Sequence, residues 1–246
     1  MVLLAAFQVM LHCLSGQDDL LVASPVVGRN RFEFEAIVGL FTNPVILRAK
    51  LSGNPTFRRF LAQVRQTVFA ALEHQDYPTL ALVQRLRPPR DLSRSPLAQV
   101  MFVLDKAHRL TEHGTPALAA GETGLRMNPG GLVLESFPLQ RRAATLDLVM
   151  LVIETPSSLA VSIRYNSDLF YPATITQMAE HFDALLRGVV AEPEITLKAL
   201  KEIVATADRQ RQEANRKQCR QINSEKLNTV RRRAFGLPLQ SRNGAL

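Results

Sequence analysis

The chain has 246 residues, 46% of them hydrophobic and 21% charged, which are ordinary values for a folded protein and exclude wholesale disorder. Lys and Arg number 30 against 22 Asp and Glu, a net charge of +8, which invites a nucleic-acid partner. Residues 196–246 hold 12 basic and 4 acidic residues, whereas residues 1–195 hold 18 of each. The body is therefore neutral, and its function does not follow from net charge.

Positions 2–14 form an apolar helical run that stops at Ser15-Gly16. It has no basic lead-in and no small-residue cleavage site, so it reads as a core helix rather than a signal peptide. It also has no N-cap, which predicts a chain that begins inside a larger design. Positions 19–27 read as a buried strand ending at Gly28, positions 32–41 as a short helical or turn segment, and positions 45–51 as a second strand. Ser52-Gly53-Asn54-Pro55 is a turn and helix start. Positions 56–74 are the clearest amphipathic helix, with Phe57, Phe60, Leu61, Val64 and Val68 on one face. A loop over 74–78 leads to a short helix over 80–86, stopped by Pro88-Pro89, and then to a strand over 98–104.

Positions 106–128 show no period and read as a mobile loop. Strands are predicted over 131–137, 145–154 and 158–165, the last two joined as an antiparallel hairpin by Thr155-Pro156-Ser157. A second strong helix spans 172–190. Positions 197–204 read as a turn or two of helix, and 207–235 as a solvated helix or a partly disordered segment with a frayed end beyond it. Interspersed strands and helices predict an α/β or α+β sandwich around one core, over residues 1–195, followed by a basic tail over 196–246.

Little of this sequence announces chemistry. It contains no P-loop, GxGxxG, HExxH, GxSxG or CxxC. Cys13 and Cys219 are too far apart in sequence for a metal motif and form no disulfide framework, which fits a reducing, cytoplasmic compartment. His12 and His181 lie in predicted helices and read as structural. His108 and His113 lie in the irregular loop, where their spacing is a weak metal signal. No metal site is predicted. His74 opens the constrained run HQDYP, and a brace for that loop explains it better than a base without a nucleophile. In the run at 90–97, Asp91 and Ser93 predict an Asx or Ser turn, with Arg90 and Arg94 tying the loop to the body.

Five ordered segments carry more information together. They are LLAAFQVMLHCLSGQDDLLVASPVVGRNR at 3–31, VGLFTNPVILR at 38–48, LSGNPTFRRFLAQVR at 51–65, HQDYP at 74–78 and RDLSRSPLAQVMFVL at 90–104. With LDLVMLVIE at 146–154 and YNSDLFYPATITQMAEHFDALL at 165–186, they resemble the C-terminal half of a nonribosomal peptide synthetase condensation domain. The resemblance covers residues 1–195. It implies the C-terminal lobe of the chloramphenicol-acetyltransferase-like fold, in the CoA-dependent acyltransferase superfamily. It implies amide-bond formation between thioesters carried on the phosphopantetheine of carrier proteins, with no directly bound cofactor. Asn43 and Arg48 match the family's (I/V)GxFxN…R motif, and His74 and Asp76 its H(N/Q)DxP motif. Arg90, Asp91, Ser93, Arg94 and Pro96 match RDxSRxP, and Asp147 matches the aspartate of a later strand. Thr79 replaces a usual phenylalanine, and Pro44 a common threonine. Epimerisation domains share the fold, but RDLSRSPL and HQDYP favour condensation.

The family's catalytic signature, HHxxxDG, is not in this sequence, where no two histidines are adjacent. No catalytic residue is therefore predicted. Arg29 is the candidate to pair with the aspartate of that signature and so to organise the active-site loop. The expected partners are carrier proteins, a missing N-terminal lobe and other synthetase modules, with neither nucleic acid nor membrane among them. Three functions remain open: a lobe fragment inactive alone, one chain of a split enzyme, and a non-catalytic docking module using the basic tail. An unpaired lobe is also expected to expose apolar surface, and so to dimerise, aggregate or melt early.

Overall fold

A computed structural model describes residues 1–89, 91, 93–106, 126–128, 131–135, 146–154 and 158–234. The first helix, α1 (Val2–Ser15), is buried at seven consecutive positions from Leu4 to Met10. A helix buried on all sides needs apolar residues on all sides, and this run supplies them except at Gln8. Gly16 ends it in the left-handed region (φ 71°), its N–H donating to the His12 carbonyl.

Strand β1 (Asp19–Val26) pairs antiparallel along its whole length with β2 (Asn43–Lys50), Asp19 opposite Lys50 and Val26 opposite Asn43. On its other side β1 runs parallel to β3 (Val100–Lys106), and β3 runs parallel to β6 (Leu148–Glu154). The hairpin partner β7 (Leu159–Tyr165) is antiparallel to β6. The sheet order is β2-β1-β3-β6-β7. Between β3 and β6, the two-residue strands β4 (Arg126–Met127) and β5 (Leu134–Glu135) pair with each other, so part of the expected loop is a strand. The rest of that loop, with His108 and His113, the end of the strand expected at 131–137, the hairpin turn at 155–157 and the frayed end from 235 lie outside the described residues.

One face of the sheet carries the main core. Leu20, Val22, Leu47, Ala49, Phe102, Leu148, Met150 and Val152 pack there against α1, α2 (Phe57–Glu73), α4 (Pro172–Ala191) and the root of α5 (Leu197–Ala234). The opposite face carries a smaller cluster in which Val103 and Ala160 pack against Leu151 and Ile153. Period-two alternation assigns these sets to the two faces. Thr56 caps α2, its side chain accepting from the Arg59 N–H.

Asn54 serves a different helix. Its Oδ1 accepts the Lys198 N–H at 2.8 Å, and the Pro55 carbonyl accepts the Leu197 N–H. The loop before α2 thus caps α5 from 144 positions away. Helix α5 is a single element of 38 residues. Leu197, Leu200 and Val204 are buried in the main core, so the change in charge near residue 196 does not coincide with the edge of the packed core.

Candidate functional site

The motif residues gather at two ends of the sheet. At the carboxyl ends of the parallel strands, β1 runs into a loop that returns to β2 at Asn43. Gly28 starts that loop at φ 67°, and a Cβ there would stand 2.1 Å from the Phe41 carbonyl oxygen. Only glycine fits both the conformation and the approach. Arg29 fastens the loop from inside: its guanidinium donates to the Phe34 carbonyl and, at 3.2 Å, to the Gly39 carbonyl, and sits 4.3 Å from the Phe41 ring centroid. A 3-10 turn at Phe32–Phe34 is the helical part of this segment. Outside this brace, Phe32 (83% exposed), Val38 and Leu40 face solvent.

Asn43 is the knot between this loop and the next. Its Nδ2 donates to the carbonyls of Gln75 and Tyr77, both at 2.9 Å, while its Oδ1 accepts the Thr79 N–H at 3.1 Å. It thereby caps α3 (Thr79–Leu86), whose own N-cap position is Pro78 and makes no side-chain cap bond. Thr79 Oγ1 lies within hydrogen-bond reach of Asn43 Oδ1 and of the Pro44 carbonyl, and its single proton serves one at a time. The threonine that replaces the expected phenylalanine thus joins the polar knot. Asn30 Nδ2 donates to both carboxylate oxygens of Asp76, at 3.0 and 3.1 Å, a second stitch between the loops. His74 closes α2, its Nδ1–H donating to the Ala70 carbonyl at 2.9 Å.

At the amino ends of the strands stand the other motif residues. Arg48 binds Asp19 in bidentate fashion, Nε to Oδ1 at 2.8 Å and a terminal nitrogen to Oδ2 at 2.5 Å. That hydrogen bond, with the guanidinium charge, holds the Asp19 carboxyl below its ordinary value. Asp91 Oδ1 accepts both the hydroxyl (2.6 Å) and the N–H (2.9 Å) of Ser93, and Arg94 lies 3.7 Å from Oδ2. The Ser93 hydroxyl, the Ser93 N–H and Arg94 lower the Asp91 carboxyl in that order of importance. Asp147 joins neighbouring strands through its backbone, its N–H donating to the Gln99 carbonyl and its carbonyl accepting the Asn166 N–H. Arg90 lies outside the described residues.

Arg29, Asn43, His74 and Asp76 thus form one constellation on adjoining loops, whereas the Arg48–Asp19 pair, the Asp91–Ser93–Arg94 turn and Asp147 are three separate contacts toward the other end of strands some 20 Å long. Open sheets with parallel strands present their ligand sites at the carboxyl ends, which favours the constellation. Its polar groups bond mainly to backbone carbonyls, to Thr79 and to Asn30, and so tie neighbouring loops to one another. Among the described residues no three His, Cys, Asp or Glu are grouped as metal ligands.

Sequence reasoning did not single out Asn30, since nothing in the chain links it to a carboxylate 46 positions away. It also did not single out the polar contact between α4 and α5. There His181, 1% exposed, places Nε2 2.6 Å from Asp208 Oδ1, Gln177 donates to the same oxygen, and Arg211 reaches Glu180 at 2.5 Å.

The family model described as Condensation domain matches residues 1–213. This chain belongs to the condensation-domain family. It is 40% identical over 212 residues to a linear gramicidin synthase of Brevibacillus parabrevis, covering 85% of this chain and 2% of that one. It is likewise 40% identical over 193 residues to chondramide synthase cmdD of Chondromyces crocatus, covering 78% and 4%. A four-domain nonribosomal peptide synthetase solved with AMP and glycine superposes with a TM-score of 0.72 at 28% identity, over 80% of this chain and 15% of that one. The condensation domain of the Monacolin K polyketide synthase, at 20% identity, shares the fold with a TM-score of 0.62, over 80% of this chain and 42% of that one. This condensation-domain chain therefore spans a few per cent of the curated synthases it matches. The matched span runs past residue 195 to residue 213, through the packed root of α5. The fold is the mixed α/β, chloramphenicol-acetyltransferase-like one that the motifs implied.

Proposed function

We propose that this condensation-domain segment contributes one wall of the site where a carrier-bound amine attacks a carrier-bound thioester carbonyl, and that it makes no amide bond by itself. The family match over residues 1–213, in a sequence without HHxxxDG, carries this reading. In this reading Arg29, Asn43, His74 and Asp76 shape the tunnel wall. Arg48, Asp91, Ser93, Arg94 and Asp147 support the sheet away from the reacting groups, and Arg90 is counted with them by its motif alone. Substrates arrive on the phosphopantetheine arms of carrier proteins, in the cytoplasm, and no cofactor binds the segment directly. Among the described residues no helix is long and apolar enough to cross a membrane. The division into a lobe over 1–195 and a basic tail over 196–246 is part of the proposal as a division of charge, the tail's first turns packing into the lobe's core.

The test supplies purified chain with an aminoacyl donor and an aminoacyl acceptor, each loaded on a carrier protein, and follows acyl-carrier products by mass spectrometry. No dipeptidyl product is expected, and its formation by this chain alone would overturn the reading.

A second reading is a split enzyme, in which another polypeptide bears HHxxxDG. The exposed Phe32, Val38 and Leu40 on a braced loop favour it, because burying them would stabilise an interface by about 25 cal/mol per Å². Co-purification with an HHxxxDG-bearing chain encoded next to this one, together with product formation by the pair, is the expected result. Absence of such a chain from the neighbouring reading frames counts against it.

A further inference from the structure

The charge separation seen in the sequence acquires a geometry in α5. Leu197, Leu200, Val204, Asp208 and Arg211 recur at helical spacing on one side of the helix, and all of them contact the body. The other side carries Arg209, Arg216 and Arg220, at i, i+7 and i+11, all exposed, with Lys217 beside them. After Arg211 the described side chains are exposed: every residue from Gln212 to Lys217, and Cys219, Arg220, Gln221 and Asn223. The helix continues to Ala234, roughly 35 Å further at 1.5 Å per residue. Residues 209–234 hold nine Lys and Arg against two Asp and Glu. Asp208 and Arg211, clamped to His181, Gln177 and Glu180, set the direction in which this arm leaves the body.

We infer that the part of α5 beyond Arg211 is an electrostatic docking arm for an acidic protein surface, with Arg216 and Arg220 as its contact stripe and Arg209 at its root. Isolated polar helices are marginal in water, and a carboxylate-bearing partner would stabilise the exposed stretch. The exposed stretch has no apolar face to insert into a lipid surface. No aromatic residue lies between 196 and 234 to stack on a base. The inference is independent of the amide-bond reading, since it rests only on the charge and exit of the helix.

The full chain is titrated with a designed helical peptide bearing glutamates at i, i+4, i+7 and i+11, and separately with duplex DNA and with phosphatidylserine-containing vesicles. Binding is followed by anisotropy, or by co-sedimentation for the vesicles, from about 50 to about 300 mM salt. The peptide is expected to bind, more weakly as salt rises. The pair Arg216→Glu/Arg220→Glu should weaken binding about tenfold, while Arg59→Glu/Arg65→Glu on α2, the same charge change, should leave it within about twofold. A peptide with lysine for glutamate should bind the first variant and not the wild type. No peptide binding, equal losses from both variant pairs, or DNA or vesicle binding that outlasts peptide binding at about 150 mM salt would each overturn the inference.

Discussion

Asn43 has one amide and uses all of it: two donated bonds and at least one accepted bond join the start of β2 to residues 75–79. Asn43→Ala leaves the Gln75 and Tyr77 carbonyls and the Thr79 N–H without this partner, and should cost about 1–3 kcal/mol. Chemical denaturation should show the lower midpoint, and hydrogen exchange should rise in residues 75–80 before it rises in α1. Gly28 is constrained by space rather than by bonding. Gly28→Ala drives a methyl group into the Phe41 carbonyl at a positive φ, for an expected loss of about 1–3 kcal/mol. A melting temperature unchanged by that substitution would mean the loop relaxes freely, against the brace at Arg29. These residues differ in legibility. Asn43 was visible through a motif, and Gly28 as a strand stop, but Asn30 and Asn54 act on partners far along the chain and no local pattern marks them.

At the scale of elements, the α4–α5 contact gives a pH dependence with a definite sign. Burial raises the Asp208 carboxyl, but hydrogen bonds from Gln177 and His181 and the nearby His181 and Arg211 charges outweigh it, so it lies below its ordinary value of 3.8. The folded state therefore holds this proton less tightly than the unfolded state. The stabilisation is complete above pH 3.8 and is lost as pH falls through the lower, folded value. Asp208→Asn should lower the melting temperature by about 2–4 °C at neutral pH, and the gap should close as the pH drops below that point. The two thiols report on the same region. Burial pushes Cys13 on α1 up to about 11, whereas Cys219 is exposed on the arm of α5. An Ellman titration at pH 8 should show one fast thiol and one slow, and Cys219→Ser should remove the fast phase. Most element positions follow from the apolar pattern, because α2 and α4 each bury a stripe and α1 is apolar on all sides. Helix α5 was only half legible. Its first turns carry an apolar pattern, whereas its exposed part lacks one, and hydrophobic period is the signal by which helices are read.

For the whole molecule, the motifs foretold the fold class and the family because they mark turns and caps that the topology requires. The parallel pairing of β1, β3 and β6 was not foretold, since strand order is set by the crossover connections and not by any one strand's composition. The packed root of α5 makes a prediction about truncation. A chain ending at residue 195 loses Leu197, Leu200 and Val204, about 1.5–3 kcal/mol for each buried side chain, and should lose cooperative melting. A chain ending at residue 213 keeps them and should melt as the full chain does, which differential scanning calorimetry can check.

The cap that Asn54 places on α5 also has a temporal meaning. During synthesis the turn bearing Asn54 leaves the ribosome 144 positions before its partner Lys198. At about 5–20 residues per second, that is a wait of roughly 7–30 s with the core open on the side that α5 will close. Nascent chains therefore pass through an interval in which α1, already translated, lacks one of its neighbours.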